Sequence, residues 1–206
     1  MTEEKVVADQ ADSMRELTRI RSHPERSVPE ESSDILAAGY VAHVGFAVDD
    51  QPFVIPMSYH YEPAGDDDSA GPDRLYLHGS TKGRAVRHLA LGAPVCVTVT
   101  HVDQLVYSRT ALDHTMNYRS AVCFGRGRLV EDPEEKARIL ERMVRRYFPG
   151  REEGVDYQPA PSGHLQATAL VEVVIEGVSA KVRRGGPNGP LDDDPEAPGT
   201  AGLVEP

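Results

Sequence analysis

The stretch Tyr76-Leu77-His78-Gly79-Ser80-Thr81-Lys82-Gly83-Arg84 gathers the residue types that a phosphate requires. An apolar run ends at a glycine, two hydroxyls follow, and cations come where a helical pattern begins. Free N–H groups and the positive dipole end of a helix N-terminus attract an anion, hydroxyls donate to it, and Lys or Arg supplies counter-charge. This is the outline of a phosphate cradle. The Gly-x4-Gly-Lys order of a nucleotide P-loop is missing. An ordinary helix cap flanked by two surface cations fits the same spacing, so the residues alone leave both readings open.

Two further segments have the composition of ligand walls. Pro52-Phe53-Val54-Ile55-Pro56-Met57-Ser58-Tyr59 places two prolines in a strand-like run. Proline removes a ladder donor and belongs at edges or bulges, where a planar ligand can meet free backbone groups, although a bent strand with a core methionine reads equally well. In His114-Thr115-Met116-Asn117-Tyr118-Arg119-Ser120, polar residues enter a strand that continues apolar through Phe124. Alternation puts Tyr118 and Ser120 on one face and Arg119 on the other. The eight histidines are scattered without paired or Cys-bracketed spacing, so no metal site is expected. No Gly-x-Ser-x-Gly elbow supports hydrolase chemistry, and no catalytic acid or base is assigned.

The elements that would carry these segments are mainly strands. Tyr40 to Val48 and Pro52 to Tyr61 read as a hairpin about Asp49-Asp50-Gln51, and Arg74 to His78 as a third strand beyond an exposed loop over Glu62 to Asp73. Thr81 to Leu91 reads as a helix stopped by Gly92. Pro94 to Thr100 and Leu105 to Ser108 read as a strand pair, Asn117 to Val130 as a long strand, and Gln166 to Val182 as a closing strand. Pro133 to Phe148 is an amphipathic helix whose charges read as a solvated face. Two short helices precede the strands, one from Ser13 through Ile20 and one between Pro29 and Gly39. Strands joined mostly by short turns imply an antiparallel barrel rather than βαβ units.

Composition bounds the partners. The 206 residues suit one domain over 13–184, with a flexible tail over 1–12 and a Pro/Gly/Asp-rich tail over 185–206 in which only Ala201 to Val204 has the character of a docking segment. A net charge of −11 argues against nucleic acid, but the short runs Glu3-Glu4, Asp66-Asp67-Asp68 and Asp192-Asp193-Asp194 hold much of the acidity and leave room for a local basic site. Cys96 and Cys123 lie in apolar runs and read as reduced core residues. The acidic, polar start and the lack of an 18-residue apolar run predict neither secretion nor membrane insertion, hence a cytoplasmic protein.

Taken in order, His43-Val44-Gly45-Phe46, Pro52 to Met57, Tyr76 to Ser80, Asn117 to Ser120 before Phe124-Gly125, and Ser179-Ala180-Lys181-Val182-Arg183 resemble the pyridoxamine 5′-phosphate oxidase-related, FMN-binding family. The likeness runs from about Arg15 to Arg183 and is greatest to the branch that includes nitroimidazole-resistance proteins. It implies a mainly β fold with flanking helices, a six-stranded antiparallel split β-barrel, in which FMN lies at a homodimer interface. By the same resemblance His78, Ser80, Thr81 and Lys82 surround the phosphate, with Arg84 as a further candidate. Ile55, Pro56, Met57, Ser58 and Tyr59 border the isoalloxazine, and Tyr118 and Ser120 complete the site. The chain lacks the Arg-containing C-terminal pattern that would hold pyridoxal phosphate, and its ending Thr200-Ala201-Gly202-Leu203-Val204 lacks the branch's aromatic residue. The implied function is an FMN-dependent oxidoreductase of a small organic substrate, a class that includes nitroaromatics. A non-catalytic flavin carrier or sensor, and a haem- or F420-binding form of the same barrel, stay open as alternatives.

Overall fold

The computed structural model describes residues 3–65 and 71–206. The exposed-loop reading around Asp66-Asp67-Asp68 lies in part outside the described residues.

The first hairpin shows how sequence sets geometry. β1 (Val41–Val48) and β2 (Gln51–Glu62) pair antiparallel with Val48 opposite Gln51, so two residues make the turn. Both, Asp49 and Asp50, have positive φ (48° and 63°). Such a turn matches the right-handed strand twist, and Asp tolerates the left-handed region better than most side chains. β3 (Arg74–Ser80), β4 (Pro94–Tyr107), β5 (Thr115–Leu129) and β6 (Thr168–Arg183) complete a ring in the order β1-β2-β3-β6-β5-β4, closed by pairing of His43–Gly45 with Thr98–Cys96. Six antiparallel strands therefore form the barrel. A short seventh, β7 (Gly202–Val204), adds to the outer edge of β4.

Closure leaves one interior, filled by Val44, Phe46, Tyr59, Leu77, Val97, Val171 and their neighbours. A second apolar cluster lies outside the barrel, where α4 (Pro133–Tyr147) covers Tyr76, Val130 and Leu170 with Ile139. That helix starts where Pro133 needs no N–H partner and the Asp132 carboxylate accepts from the Glu134 N–H at 2.9 Å. α2 (Ser32–Ala38) plugs one barrel end with Ile35 and Leu36.

Three expectations change. The pair read over Pro94 to Ser108 is one continuous strand with a bulge between Val102 and Gln104. The extra residue, Asp103, turns its carboxylate to Arg119, which holds it through three contacts of 2.8–3.1 Å. The N-terminal helix α1 runs from Glu3 to Thr18, so helix begins well inside the segment read as a tail. The Pro/Gly/Asp-rich end is strapped down. The Asp192 carboxylate accepts from the Ser108 hydroxyl and from the N–H groups of Arg109 and Gly189, and Arg109 donates to the carbonyls of Ala197 and Gly199. Polar composition alone does not reveal such a clamp, because its partners lie some eighty residues upstream. No described helix is long and apolar enough to cross a membrane.

Candidate functional site

The feature that opens a site is a parting of strands. β2 pairs with β3 only from Tyr59 to Glu62, opposite Leu77 to Arg74. Before Tyr59, β2 follows β1 back to the hairpin, while β3 continues along β6 until Ser80 faces Thr168. One edge of β2 over 51–58 thus has no strand partner among the described residues, and its main-chain donors and acceptors face the cleft between the parting strands.

Alternation along the two strands sorts the resemblance's residues. Pro56, Ser58, His78 and Ser80 share the outer face beside the cleft. Ile55 and Met57 point inward and pack against the core, and Tyr59 is fully buried. The Tyr59 hydroxyl donates to the Leu36 carbonyl, burial pushes its pKa up to about 12, and its own carbonyl accepts from Arg146 and Tyr147. Its polar groups are used within the barrel, which removes it from the set whose side chains border a ligand. Gly79 allows the inner packing here. A Cβ at that position would stand 3.1 Å from Val86 and 3.7 Å from the Met57 methyl.

The turn after β3 differs from the expected helix start. α3 spans Arg84–Leu89, three residues later than the sequence suggests, with Gly83 as an N-cap that lacks a side-chain acceptor. The preceding N–H groups are taken within the chain. Thr81 donates to the Ala167 carbonyl at 3.1 Å, Lys82 to the Ser80 hydroxyl at 3.2 Å and Gly83 to the Ser80 carbonyl at 2.8 Å. The amides of the turn are thus not free for an anion, and a helix of only six residues adds a small dipole. Formal charge takes its place. Lys82, Arg84 and Arg87 stand within six residues, and none has a carboxylate partner among the described residues. Arg84 is held over the Phe53 ring at 4.4 Å, a cation–π contact that ties the turn to β2 across the cleft.

His78 adds a second signal. Its Nδ1 is buried without a hydrogen-bond partner among the described residues, and burial lowers its pKa, so the ring stays neutral near pH 7. An unpaired buried ring nitrogen is costly unless something outside the chain fills it. It shares the outer face of the cleft with Ser58 and Ser80.

Tyr118 and Ser120 do not join this group within one chain. Ser120 faces Lys181 near one end of β6, whereas Ser80 faces Thr168 at the other. Around the barrel wall, β5 lies three strands from β2 by way of β1 and β4, roughly 14 Å at about 4.8 Å per strand on a convex surface. The Ser120 hydroxyl donates to the Lys181 carbonyl at 3.3 Å.

Two participants escape a sequence reading. Arg87 repeats the cation of Arg84 one turn later, a spacing visible in the sequence. Arg146, read there as part of a solvated face, donates to the carbonyls of Tyr59, Ala37 and Gly39 and lies among the rings of Tyr40, Tyr59 and Tyr147. It anchors α4 where β2 leaves its neighbours, and nothing in local spacing reveals it. Apart from the cleft, a cavity of about 870 Å³ lies between α1 and the barrel wall, and a smaller one of about 390 Å³ takes in Thr81, Arg87 and Lys136.

Comparison with known proteins places this architecture. The flavocytochrome Anf3 from Azotobacter vinelandii is 31% identical, with a TM-score of 0.76 over 92% of this chain and 84% of that one. The FAD and haem binding protein from Mycobacterium smegmatis is 28% identical, with a TM-score of 0.73 over 87% and 82%. A candidate 5-nitroimidazole antibiotic resistance protein from Bacteroides thetaiotaomicron shares the fold at 24% identity, with a TM-score of 0.59 over 76% and 86%. No curated protein sequence matches. The family model for pyridoxamine 5′-phosphate oxidase matches residues 29–182, from the turn before α2 to the end of β6, and the chain belongs to that family.

Proposed function

We propose that this chain is a flavoprotein that holds FMN along the cleft between β2 and β3 and serves as an oxidoreductase of a small organic substrate. The observation that carries the reading is the pair of cations Lys82 and Arg84, without a carboxylate partner among the described residues, at the turn that faces the free edge of β2, with Arg87 one helical turn on and the His78 nitrogen unfilled among the described residues. In a chain of net charge −11, three neighbouring cations have no carboxylate partner among the described residues, and an anion would be drawn to them.

Lys82, Arg84 and the Ser80 and Thr81 hydroxyls hold the phosphate, and Pro56, Ser58 and the β2 backbone border the ring. When bound, the flavin supplies the hydride and electron chemistry, while the chain binds and orients it. His78, neutral and half-buried, presents a ring nitrogen to a polar atom at the cleft. Tyr118 and Ser120 come from a second copy, because one chain keeps them on a different part of the barrel wall, and the cleft lacks that wall without it. The site is thus built in a homodimer.

Purified protein should be yellow, with flavin absorbance that co-elutes with a dimer. Titration with FMN, FAD and riboflavin distinguishes the ligands: FMN binds most tightly, and riboflavin, which lacks the phosphate, binds weakly. A preparation that stays colourless with all three overturns the reading. Mixed dimers test the two-copy site. A chain carrying K82A and one carrying Y118A/S120A are each impaired, and together they regain one intact site per heterodimer.

A second reading, that the chain also carries haem, is favoured by the cavity of about 870 Å³ under α1, which contains none of the cradle residues. The two relatives with the highest identity given above, a flavocytochrome and an FAD and haem binding protein, agree with it.

A further inference from the structure

Two charged residues among those described are buried, and only one of them is neutralised. Glu172 is held by Arg74 and Arg128. Arg183, 8% exposed at the end of β6, has no carboxylate within ion-pair distance among the described residues. Its Nη1 donates to the Asn117 side-chain carbonyl at 2.6 Å, and its Nη2 to the Gly186 carbonyl at 3.4 Å. Both acceptors are neutral, so these bonds fix the guanidinium in place without compensating its charge.

A second guanidinium is brought up beside it. The single turn Pro24–Arg26 is pinned along β6, because the Val28 N–H donates to the Ala180 carbonyl at 3.0 Å and the Lys181 ammonium to the Ser22 carbonyl at 2.8 Å. Arg26 therefore lines the same pocket as Arg183. Burial, and then the Arg26 charge, pull the Arg183 pKa below its ordinary value. The carboxylate that Arg26 meets, Glu25, stands 3.8 Å away, is largely exposed and also contacts His23 at 3.0 Å. Arg184, the third cation of the lining, is taken by Glu31 at 2.5 and 2.9 Å.

The pocket holds about 540 Å³, within the range of small-molecule sites. A Cβ at Gly185 or Gly186, both on its wall, would meet nothing within 4 Å, so the space beside Arg183 is open. A buried charge without a counter-charge is costly, and more so beside a like charge. An oxyanion forked onto both guanidiniums offsets that cost, and arginine geometry suits carboxylate and phosphate alike.

We propose that Arg26 and Arg183 form an anion site, at the other end of β6 from the phosphate cradle, for a small organic acid whose carboxylate or phosphate bridges the two guanidiniums. The site does not depend on the flavin reading.

Calorimetric titration of the full chain with citrate and with inorganic phosphate at low ionic strength tests it, in a K82A/R84A background that removes the cations of the cradle. At least one of the two anions saturates at one equivalent per chain, and sodium chloride of equal ionic strength does not. Tighter citrate identifies a carboxylate ligand and tighter phosphate a phosphate ester, and either result supports the site. Arg26→Gln weakens binding by about tenfold, as for loss of one charge-assisted contact. Arg183→Gln, polar but uncharged, abolishes it. Should that variant fail to fold, Arg26→Gln decides, since Arg26 is partly exposed and its side chain makes no contact inside the barrel. No saturable binding of either anion, or equal affinity in Arg26→Gln, overturns the assignment. Because FMN is titrated separately into the chain that keeps Lys82 and Arg84, that failure leaves the flavin reading standing.

Discussion

Two regions of this barrel are rich in arginine and lysine, and they treat charge in opposite ways. At the far end of β5 and β6, Arg119 is clamped by Asp103, and Arg184 pairs with Glu31. Arg119 also holds the Asp103 carboxyl below its usual range. At the turn after β3, Lys82, Arg84 and Arg87 have no such partners among the described residues. The paired cations pin a bulge and the segment entering the C-terminal strap. The unpaired ones project from a turn whose amides are already satisfied, so their charge is free for a ligand. Counting basic residues would not separate these roles; asking which already have an acceptor does.

Exchanging the two kinds of cation tests the contrast most severely. Removing Lys82 and Arg84 together weakens FMN binding by about a hundredfold, at roughly tenfold for each charge-assisted contact, and leaves riboflavin binding and the unfolding midpoint nearly unchanged. Equal loss for FMN and riboflavin would break the contrast. Arg119→Gln does the reverse. Urea unfolding should show a loss of about 1 kcal/mol, discounted because both partners are about one-third exposed, while FMN affinity holds.

A smaller effect follows from the imidazoles of the β2–β3 wall. Burial lowers the pKa of both His60 and His78, so the unfolded chain binds more protons than the folded one as pH falls below the ordinary histidine value of 6.5. Stability therefore declines on acidification through 6.5 and is level above it, and His78→Gln should flatten part of that slope in unfolding midpoints measured between pH 5 and 7.5. A slope unaltered in the variant would show that His78 is solvated. The mildest change is Asp192→Ala, which releases the strap from Ser108 and Arg109. Limited proteolysis near Gly199 should accelerate with FMN affinity unaltered, since the strap clamps the paired end of the barrel and not the cleft.

Much of this is legible in the chain. The two aspartates of the first hairpin, the alternation through Val44 and Phe46, the glycine stop at Gly92 and the Asp132-Pro133 start of α4 are local signals, because turn geometry and side-chain period act over a few residues. The order of the motifs identifies the family, and Ser80, Lys82 and Arg84 stand out by type alone. What spacing could not reveal was which groups remain free. It suggested a helix dipole at Thr81 that the fold replaces with formal charge. The family resemblance implies Tyr59 beside a ligand, whereas register sends that ring into the core. Spacing read Arg146 as solvated when three carbonyls from two other elements converge on it.

The sequence by itself determined the strands, the turns and the family, since each depends on neighbours within a few positions or on motif order. The tertiary structure decided where β2 parts from β3, which cations and which ring nitrogen, that of His78, lack partners among the described residues, and that Tyr118 and Ser120 lie apart from the cleft. Those outcomes depend on pairings between strands up to a hundred residues apart, and a hydrogen-bond partner supplied from that distance leaves no mark on local spacing.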